Sequence, residues 1–272
     1  MKKLIYIFSL PILLACEDDI QLDVAQADQK IIIQAQVTNR PDYQFVKISK
    51  TVGFYDNGIS PGVNNAVVSV EDDLGTSWSF SESTDDEGVY LPDVNFVGEV
   101  GRTYTLSVEV EGKQYSSTEE LMPITPVDSL TSVVNPERME EYGPNADVYD
   151  VLLYTVEPQD QENFYLFKFY SNGNVLNDDG EDITVTDDVA VGEAIDGLEL
   201  PEHHSLGDSV SIEMFSLTKT SFIYWNDVAS LIFSDGGIFS PLPANPRSNI
   251  SGGALGVFQV SGVSVGYVIV EN

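Results

Sequence analysis

Residues 66–80 read AVVSVEDDLGTSWSF, and this stretch decides the fold class. Valine recurs in residues 66–71, and apolar side chains alternate with serines in residues 77–80, as in half-buried β-strands. The sequence DDLG between the two runs ends in Gly75, which adopts a positive φ at little cost. We therefore predict a β-hairpin here and a fold built mainly from β-strands.

The same pattern of short strands separated by turn residues extends over residues 29–122. Residues 43–49, YQFVKIS, alternate apolar and polar side chains with the period of two that a half-buried strand requires. About seven such runs at regular spacing are typical of an immunoglobulin-like β-sandwich. We predict that fold for residues 29–122, without a helix.

Pro123 and Pro126 interrupt the strand pattern, because proline cannot donate a backbone hydrogen bond to a sheet. Strands resume after them, so we place a domain boundary there. Residues 126–272 are predicted to form a second β-rich domain. Its last two apolar runs, residues 253–260 and 263–270, are predicted to pair as a hairpin.

One helix is predicted in this second domain, near residues 221–233. Thr220 or Ser221 would cap its first turn, and the Gly-Gly pair at 236–237 would end it. The helical spacing of three and four residues is carried by Phe222, Trp225, Ala229 and Ile232.

The N-terminus predicts a lipoprotein. Residues 1–15 combine a cationic start with an apolar run that is too short to span a bilayer, as in a signal peptide. The sequence LLAC at 13–16 resembles the bacterial lipobox, so Cys16, the single cysteine, is predicted to carry a covalent lipid as membrane anchor. Residues 16–28 would form a lipidated tether. The alternative is a secreted protein with a free thiol at Cys16.

Three acidic residues, Glu17, Asp18 and Asp19, follow the lipobox directly. They resemble the export signal that carries Bacteroidota lipoproteins to the outer face of the outer membrane. The alternative is an ordinary solvated linker. On the first interpretation we expect an outer-membrane protein, lipid-anchored and exposed at the cell surface.

The charge balance excludes some partners. The chain has 12 Lys and Arg against 44 Asp and Glu, a formal net charge of −32. Nucleic-acid binding depends on basic contacts to phosphate, and no basic cluster exists, so no nucleic-acid partner is expected. The same charge disfavours direct binding to anionic lipid, which leaves anchoring to the lipid on Cys16.

An acidic loop is the first candidate metal site. Residues 177–182 read NDDGED, and Asp178, Asp179 and Asp182 offer the oxygen ligands that calcium prefers. The spacing fails the EF-hand pattern, which leaves a looser calcium site as one interpretation and a solvated loop as the other. Residues 85–87, DDE, are a lesser candidate with the same alternative. No other cofactor is predicted.

His203 and His204 are the only histidines. Adjacent residues of an extended chain point to opposite faces, so the two rings are poorly placed to bind one metal ion together. We expect an exposed loop. A Ser-His-Asp arrangement would need one of them, and no Gly-x-Ser-x-Gly elbow accompanies them. With 44 acidic residues, paired carboxylates are uninformative, and we predict a protein without catalytic residues.

Aromatic residues are the remaining candidates for binding. Trp78, Tyr224 and Trp225 could form a platform for a sugar or peptide, but the helical spacing of Trp225 favours a place in the core. Phe239, Pro241 and Pro243 lie in a proline-rich run that packing explains less well. A docking surface is one interpretation of this run, and packing is the other.

A set of short motifs is spread over the chain after Cys16. They are AVVSVEDDLG at 66–75, GRTYTL at 101–106, PVDSL at 126–130, YW at 224–225, FSPLPANP at 239–246, SNI at 248–250 and LGVF at 255–258. In this order they resemble an uncharacterised family of Bacteroidota outer-membrane lipoproteins, of unknown domain function, encoded beside TonB-dependent receptors. The acidic loop 172–197, without cysteine, departs from that family, whose members often carry cysteines and aromatic-rich insertions.

This resemblance implies a function in transport. We expect a non-enzymatic lipoprotein that is an accessory or ligand-capture component of a TonB-dependent transport system, with a TonB-dependent receptor as its partner. The alternative is a free-standing β-sandwich module for surface adhesion or structure. The family implies no catalytic residues.

Overall fold

The chain is mostly β in its described part, as the sequence predicts. The computed structural model describes residues 28–53, 60–144, 146–156, 161–176, 183–187, 194–233 and 244–271. These residues form three sheets. The strands of the largest sheet are β1 (Ile31–Thr38), β2 (Phe45–Lys50), β3 (Val67–Asp72), β4 (Ser77–Glu82), β5 (Val89–Pro92), β6 (Thr103–Val110), β7 (Lys113–Glu120) and β15 (Leu255–Ser261).

The hairpin predicted from residues 66–80 is confirmed as the pair of β3 and β4. The Asp72 carboxylate accepts hydrogen bonds from the backbone N–H groups of Leu74, at 3.0 Å, and Thr76, at 2.8 Å. Gly75 has a φ of 84°. The turn therefore closes on an aspartate side chain and a left-handed glycine, the two features that favour it in the sequence.

The largest sheet has the strand order β15-β1-β2-β5-β4-β3-β6-β7. It curls so that β7 comes close to β15, and Met122 and Ser261 form a parallel bridge between its two ends. The chain before β15 also crosses the opening, where Ser117 donates to the carbonyl of Asn249 at 2.8 Å. The sheet thus wraps around one core that includes Ile33, Leu106 and Phe258.

The strand pairing corrects one prediction and crosses the predicted domain boundary. Residues 253–270 do not form a hairpin: β15 pairs in parallel with β1, and β16 (Val263–Ile269) pairs with β14 (Ser209–Leu217) in another sheet. A strand from the C-terminal segment therefore completes the sheet built from residues 29–122. Local sequence patterns could not indicate this strand pairing, because the paired residues of β1 and β15 lie more than 200 positions apart in the chain.

The rest of the chain forms a sandwich of two smaller sheets. One joins β10 (Phe164–Ser171), β14, β16, β11 (Asn174–Val175) and β12 (Thr184–Asp187). The other has the order β13-β9-β8, with β13 (Ala194–Glu199), β9 (Tyr149–Val156) and β8 (Ser129–Val134). Phe167 and Ile212 from the first sheet and Leu153 from the second are fully buried in one cluster, so the two sheets share a core.

Two α-helices lie in the described part of the chain. The predicted helix is confirmed as α2 (Lys219–Ile232), but the predicted cap at Thr220 or Ser221 is wrong: the cap is Thr218, whose hydroxyl accepts from the N–H of Ser221. The sequence patterns missed the short α1 (Pro136–Tyr142), in which Asn135 caps the N–H of Arg138 at 3.1 Å. At seven residues α1 completes only about two turns, so it shows no apolar period. Neither helix of the described chain has the length and hydropathy to cross a bilayer.

Candidate functional site

Most of the residues singled out in the sequence lie outside the described part of the chain. The lipidation, export, calcium and docking assignments to them therefore stay predictions. These residues are Cys16, Glu17, Asp18, Asp19, Asp178, Asp179, Asp182, Phe239, Pro241 and Pro243.

The lesser calcium candidate at residues 85–87 is an exposed turn. The hydroxyl of Ser83 accepts from the backbone N–H groups of Asp85 and Asp86, at 3.2 and 3.4 Å. Within the described residues, the acidic side chains of this turn belong to no group of three converging metal ligands. Their geometry is that of a solvated loop.

A groove of 480 Å³ opens between the two sheets of the sandwich, at the edge formed by β12 and β13. Phe167 forms its floor and connects it to the shared core. Thr184 lies directly opposite Phe167 across the β10–β12 pair, and Thr186 follows on the same face of β12. One wall is therefore formed by β12, where Thr184 and Thr186 flank Val185.

The facing wall of the groove comes from β13 and is apolar. Ile195 is buried, while Leu198 stays 44% exposed at the mouth, and Ala194, Asp196 and Gly197 complete the lining on this side. Small-molecule sites commonly have volumes of about 300–1,000 Å³ and combine an apolar lining with a few polar groups. The groove has both the size and the lining for an amphipathic small molecule.

A second feature lies on the outer face of the three-stranded sheet. Asp150, Glu199 and His203 each present a ligand atom, and these atoms all lie within 4.8 Å of one another. The Nδ1 atom of His203 is 2.7 Å from Oδ1 of Asp150. Asn135, the cap of α1, donates from Nδ2 to Oδ2 of Asp150 at 2.9 Å. Asp150 is only 8% exposed, since these neighbours cover it.

A β-bulge places Glu199 on the same face as Asp150. Val151 and Leu153 of β9 point into the core, so Asp150 and Leu152 between them point outward. Glu199 pairs with Leu152, after a register shift between Asp196 and Leu198. Without the extra residue, Glu199 would face inward, because one position reverses the face of every side chain.

The turn after β13 returns the chain to β9 and brings His203 to Asp150. Leu200 donates its N–H to the carbonyl of Val151 at 2.8 Å, and the chain rejoins β9 at Tyr149. Glu202 between these points has a φ of 65°, in the left-handed region. A strained residue directly before His203 is consistent with a position fixed by its surroundings.

His204 corrects the expectation of an exposed loop. It is 1% exposed, and it exchanges two backbone hydrogen bonds with Tyr149, at 2.9 and 3.0 Å. Burial lowers the pKa of His204 below its ordinary value, against the opposing effect of Asp208 and Asp147. The expectation that the two histidines point apart agrees with the structure, since His203 joins Asp150 on the outer face and His204 is buried.

The aromatic residues are used for packing. Trp78 stacks on Phe96 with ring centroids 4.2 Å apart, in the core of the large sheet. Trp225 packs against the cluster at the base of α2, and its indole N–H donates to Oε1 of Gln259 at 2.7 Å. Tyr224 is buried. Tyr224 and Trp225 contact each other edge to face, with centroids 5.3 Å apart, while Trp78 lies in the core of the large sheet, so the three do not form one platform.

A polar cluster joins the large sheet to the sandwich. The hydroxyls of Tyr43, before β2, and Tyr170, on β10, both donate to the carboxylate of Glu213 on β14. Burial, followed by the bond to Glu213, raises the pKa of Tyr43 to about 12 and that of Tyr170 further. Burial lowers the pKa of Lys168, which lies opposite Glu213 on β10.

Sequence reasoning missed Asp150 and Glu199. The one local signal was the carboxylate of Asp150 inside the apolar run VYDVLLY, residues 148–154, where a charged residue needs partners. Glu199 gave no signal, because its orientation depends on the bulge at Gly197.

A family model described as a domain of unknown function matches residues 17–266. No curated protein matches the chain.

Proposed function

This chain belongs to the DUF4249 family, a domain of unknown function, and we propose that it is a lipid-anchored outer-membrane lipoprotein that captures a small ligand for a TonB-dependent transporter. It acts by binding, without catalysis. The groove between β12 and β13 is the main support for ligand capture, because it combines a volume of 480 Å³ with one apolar and one hydroxyl-rich wall.

The lipobox at residues 13–16 supports the anchoring part of the proposal. Two or more acyl chains on Cys16 would hold the protein at the membrane, since each buried methylene contributes about 0.8 kcal/mol. The acidic residues that follow would direct it to the cell surface. The net charge of −32 keeps the folded part in water and away from anionic lipid.

The partner is tested by purification of the lipidated protein from its host membranes in mild detergent, followed by mass spectrometry. We expect a TonB-dependent receptor in stoichiometric amount. The Cys16→Ala variant is the control, since it should lose the membrane fraction and the receptor. If no such receptor co-purifies with the wild-type protein, a free-standing adhesion or structural module becomes the better interpretation.

The groove is tested separately with the neutral fluorescent probe N-phenyl-1-naphthylamine. We expect saturable binding that falls at least about tenfold in the Leu198→Asp variant, because a charge at the mouth disfavours an apolar guest. Leu74→Asp is the matched control, at an exposed leucine in the β3–β4 turn. Equal loss in both variants, or no saturable binding, would contradict the groove as a binding site.

A further inference from the structure

The outer face of the three-stranded sheet carries a ligand set that the groove does not use. We propose that Asp150, Glu199 and His203 bind a divalent transition-metal ion, with Zn²⁺ as the best match. The site is independent of the proposed transport function, since none of the three side chains lines the groove.

The donor atoms favour zinc over calcium. The group offers one imidazole nitrogen and two carboxylate oxygens. Calcium takes oxygen ligands almost only, while imidazole with carboxylate suits zinc and neighbouring transition metals. Three protein ligands leave a fourth tetrahedral position open to water or to another ligand.

The distances need only a small adjustment. Zinc bonds of about 2.0–2.2 Å in a tetrahedron separate ligand atoms by roughly 3.3–3.6 Å. The nitrogen of His203 and the oxygen of Asp150 are 2.7 Å apart as a hydrogen-bonded pair, so they would separate by about 0.6 Å and exchange that bond for two bonds to the metal, while every ligand atom lies within 4.8 Å of the others. Glu199 is exposed and has three side-chain torsions, so it can close the remaining gap.

Neighbouring groups orient the ligands as in established metal sites. Asn135 donates to the second oxygen of Asp150 at 2.9 Å, which fixes the carboxylate plane and leaves the first oxygen toward His203. Hydrogen bonds of this kind commonly support the ligands of metal centres. Asn135 is itself held as the cap of α1, so the orientation rests on a defined backbone position.

Electrostatics also favour a bound cation. In the described part of the chain, neither Asp150 nor Glu199 forms an ion pair with a lysine or arginine, and His203 is the partner of Asp150. A carboxylate that is 8% exposed is costly without a positive neighbour, and Asn135 and a neutral His203 supply hydrogen bonds but no charge. A divalent ion among the three side chains would supply that charge.

The test is a titration of the full chain, purified in mild detergent without a His tag, with Zn²⁺ and with Co²⁺. We expect one equivalent of Zn²⁺ to bind, and Co²⁺ to give the visible absorption of a tetrahedral site. Zn²⁺ about 100-fold above its Kd should raise the Tm by roughly 5 °C. Calcium at the same concentration should not displace it.

Variants locate the site. His203→Ala and Glu199→Gln should each weaken Zn²⁺ binding at least about tenfold and abolish the Co²⁺ band. Glu109→Gln is the matched control, the same change at an exposed residue of β6 far from this face, and should bind as the wild type. Glu199→Gln is the decisive variant, because an exposed side chain can change without unfolding the sheet. Equal affinity in wild type and Glu199→Gln, or binding of many ions without saturation, would overturn the proposal.

Discussion

Gly256 lies opposite Ile33 in the parallel pair of β15 and β1, and a Cβ atom at Gly256 would be 2.0 Å from the carbonyl oxygen of Ile33. Its φ of 103° is also one that other residues rarely adopt. This contact joins the start and the end of the described chain. The large sheet is therefore complete only after the C-terminal strand has docked.

The first prediction concerns this contact. Gly256→Ala should destabilise the protein by about 3 kcal/mol, because it adds a clash with backbone to an unfavourable φ. Urea unfolding followed by circular dichroism measures the change. Gly112→Ala is the matched control: its φ is 73°, but nothing lies within 4 Å of the added Cβ, so about 1 kcal/mol is expected. Equal losses in the two variants would show that the close approach to Ile33 is unimportant.

The second prediction concerns folding of the N-terminal segment. A fragment of residues 28–122 lacks β15 and leaves the core without Phe258 and Val260, which are fully buried in it. We expect a fragment without a cooperative unfolding transition, since each lost core side chain costs about 2–5 kcal/mol. Addition of a peptide covering residues 247–262 should restore dispersed amide signals in NMR spectra. A fragment that melts cooperatively at the Tm of the full chain would contradict this.

The third prediction concerns Glu119, a residue of β7 whose buried carboxylate contacts the N-terminus of α2. It accepts hydrogen bonds from Thr218, from Thr220 at 2.6 Å and from Asn249 at 2.8 Å. Glu119→Gln should cost about 1–3 kcal/mol, because an amide places donors against these donors and removes a charge favourable to the helix N-terminus.

Glu120→Gln is the matched control for this prediction, at the exposed neighbour on β7. A surface change of this kind should stay within about 0.5 kcal/mol. Both variants are compared by chemical denaturation at neutral pH. If they lose the same stability, Glu119 does not act through its buried contacts.

The fourth prediction concerns alkaline pH. Burial and the bond to Glu213 raise the pKa of Tyr43 to about 12, against about 10 for an unfolded chain. The unfolded state therefore loses its proton first. The stabilising effect of neutral Tyr43 is fully present below pH 10 and declines as the pH rises toward 12.

Thermal melting between pH 9 and pH 12 measures this decline. Tyr43→Phe should have a lower Tm than the wild type at neutral pH, but its Tm should fall less than that of the wild type between neutral and high pH. Tyr267→Phe, at an exposed tyrosine, should retain the wild-type decline. Parallel profiles of Tyr43→Phe and the wild type would show that titration of Tyr43 is not linked to unfolding.

Local pattern predicted the strands where side chains alternate or glycine closes a turn. The β3–β4 hairpin and α2 follow from their own residues, through Asp72 and Gly75 in one case and the Phe222–Trp225 spacing in the other. Strands β11 to β13 were missed, since acidic and small residues dominate that region and no apolar period marks it. The prediction of a C-terminal hairpin was wrong, because two consecutive apolar strands can either pair with each other or belong to two different sheets.

The sequence by itself determined the mostly β class, the β3–β4 hairpin and one helix, because these depend on interactions between near neighbours. Tertiary structure alone decided that β15 joins β1, that β12 and β13 frame a groove, and that Asp150, Glu199 and His203 share one face. Each of these depends on register between distant strands, and the bulge at Gly197 changes that register by one residue. A register shift of one residue moves a side chain from the core to the surface, and no local sequence pattern predicts such a shift.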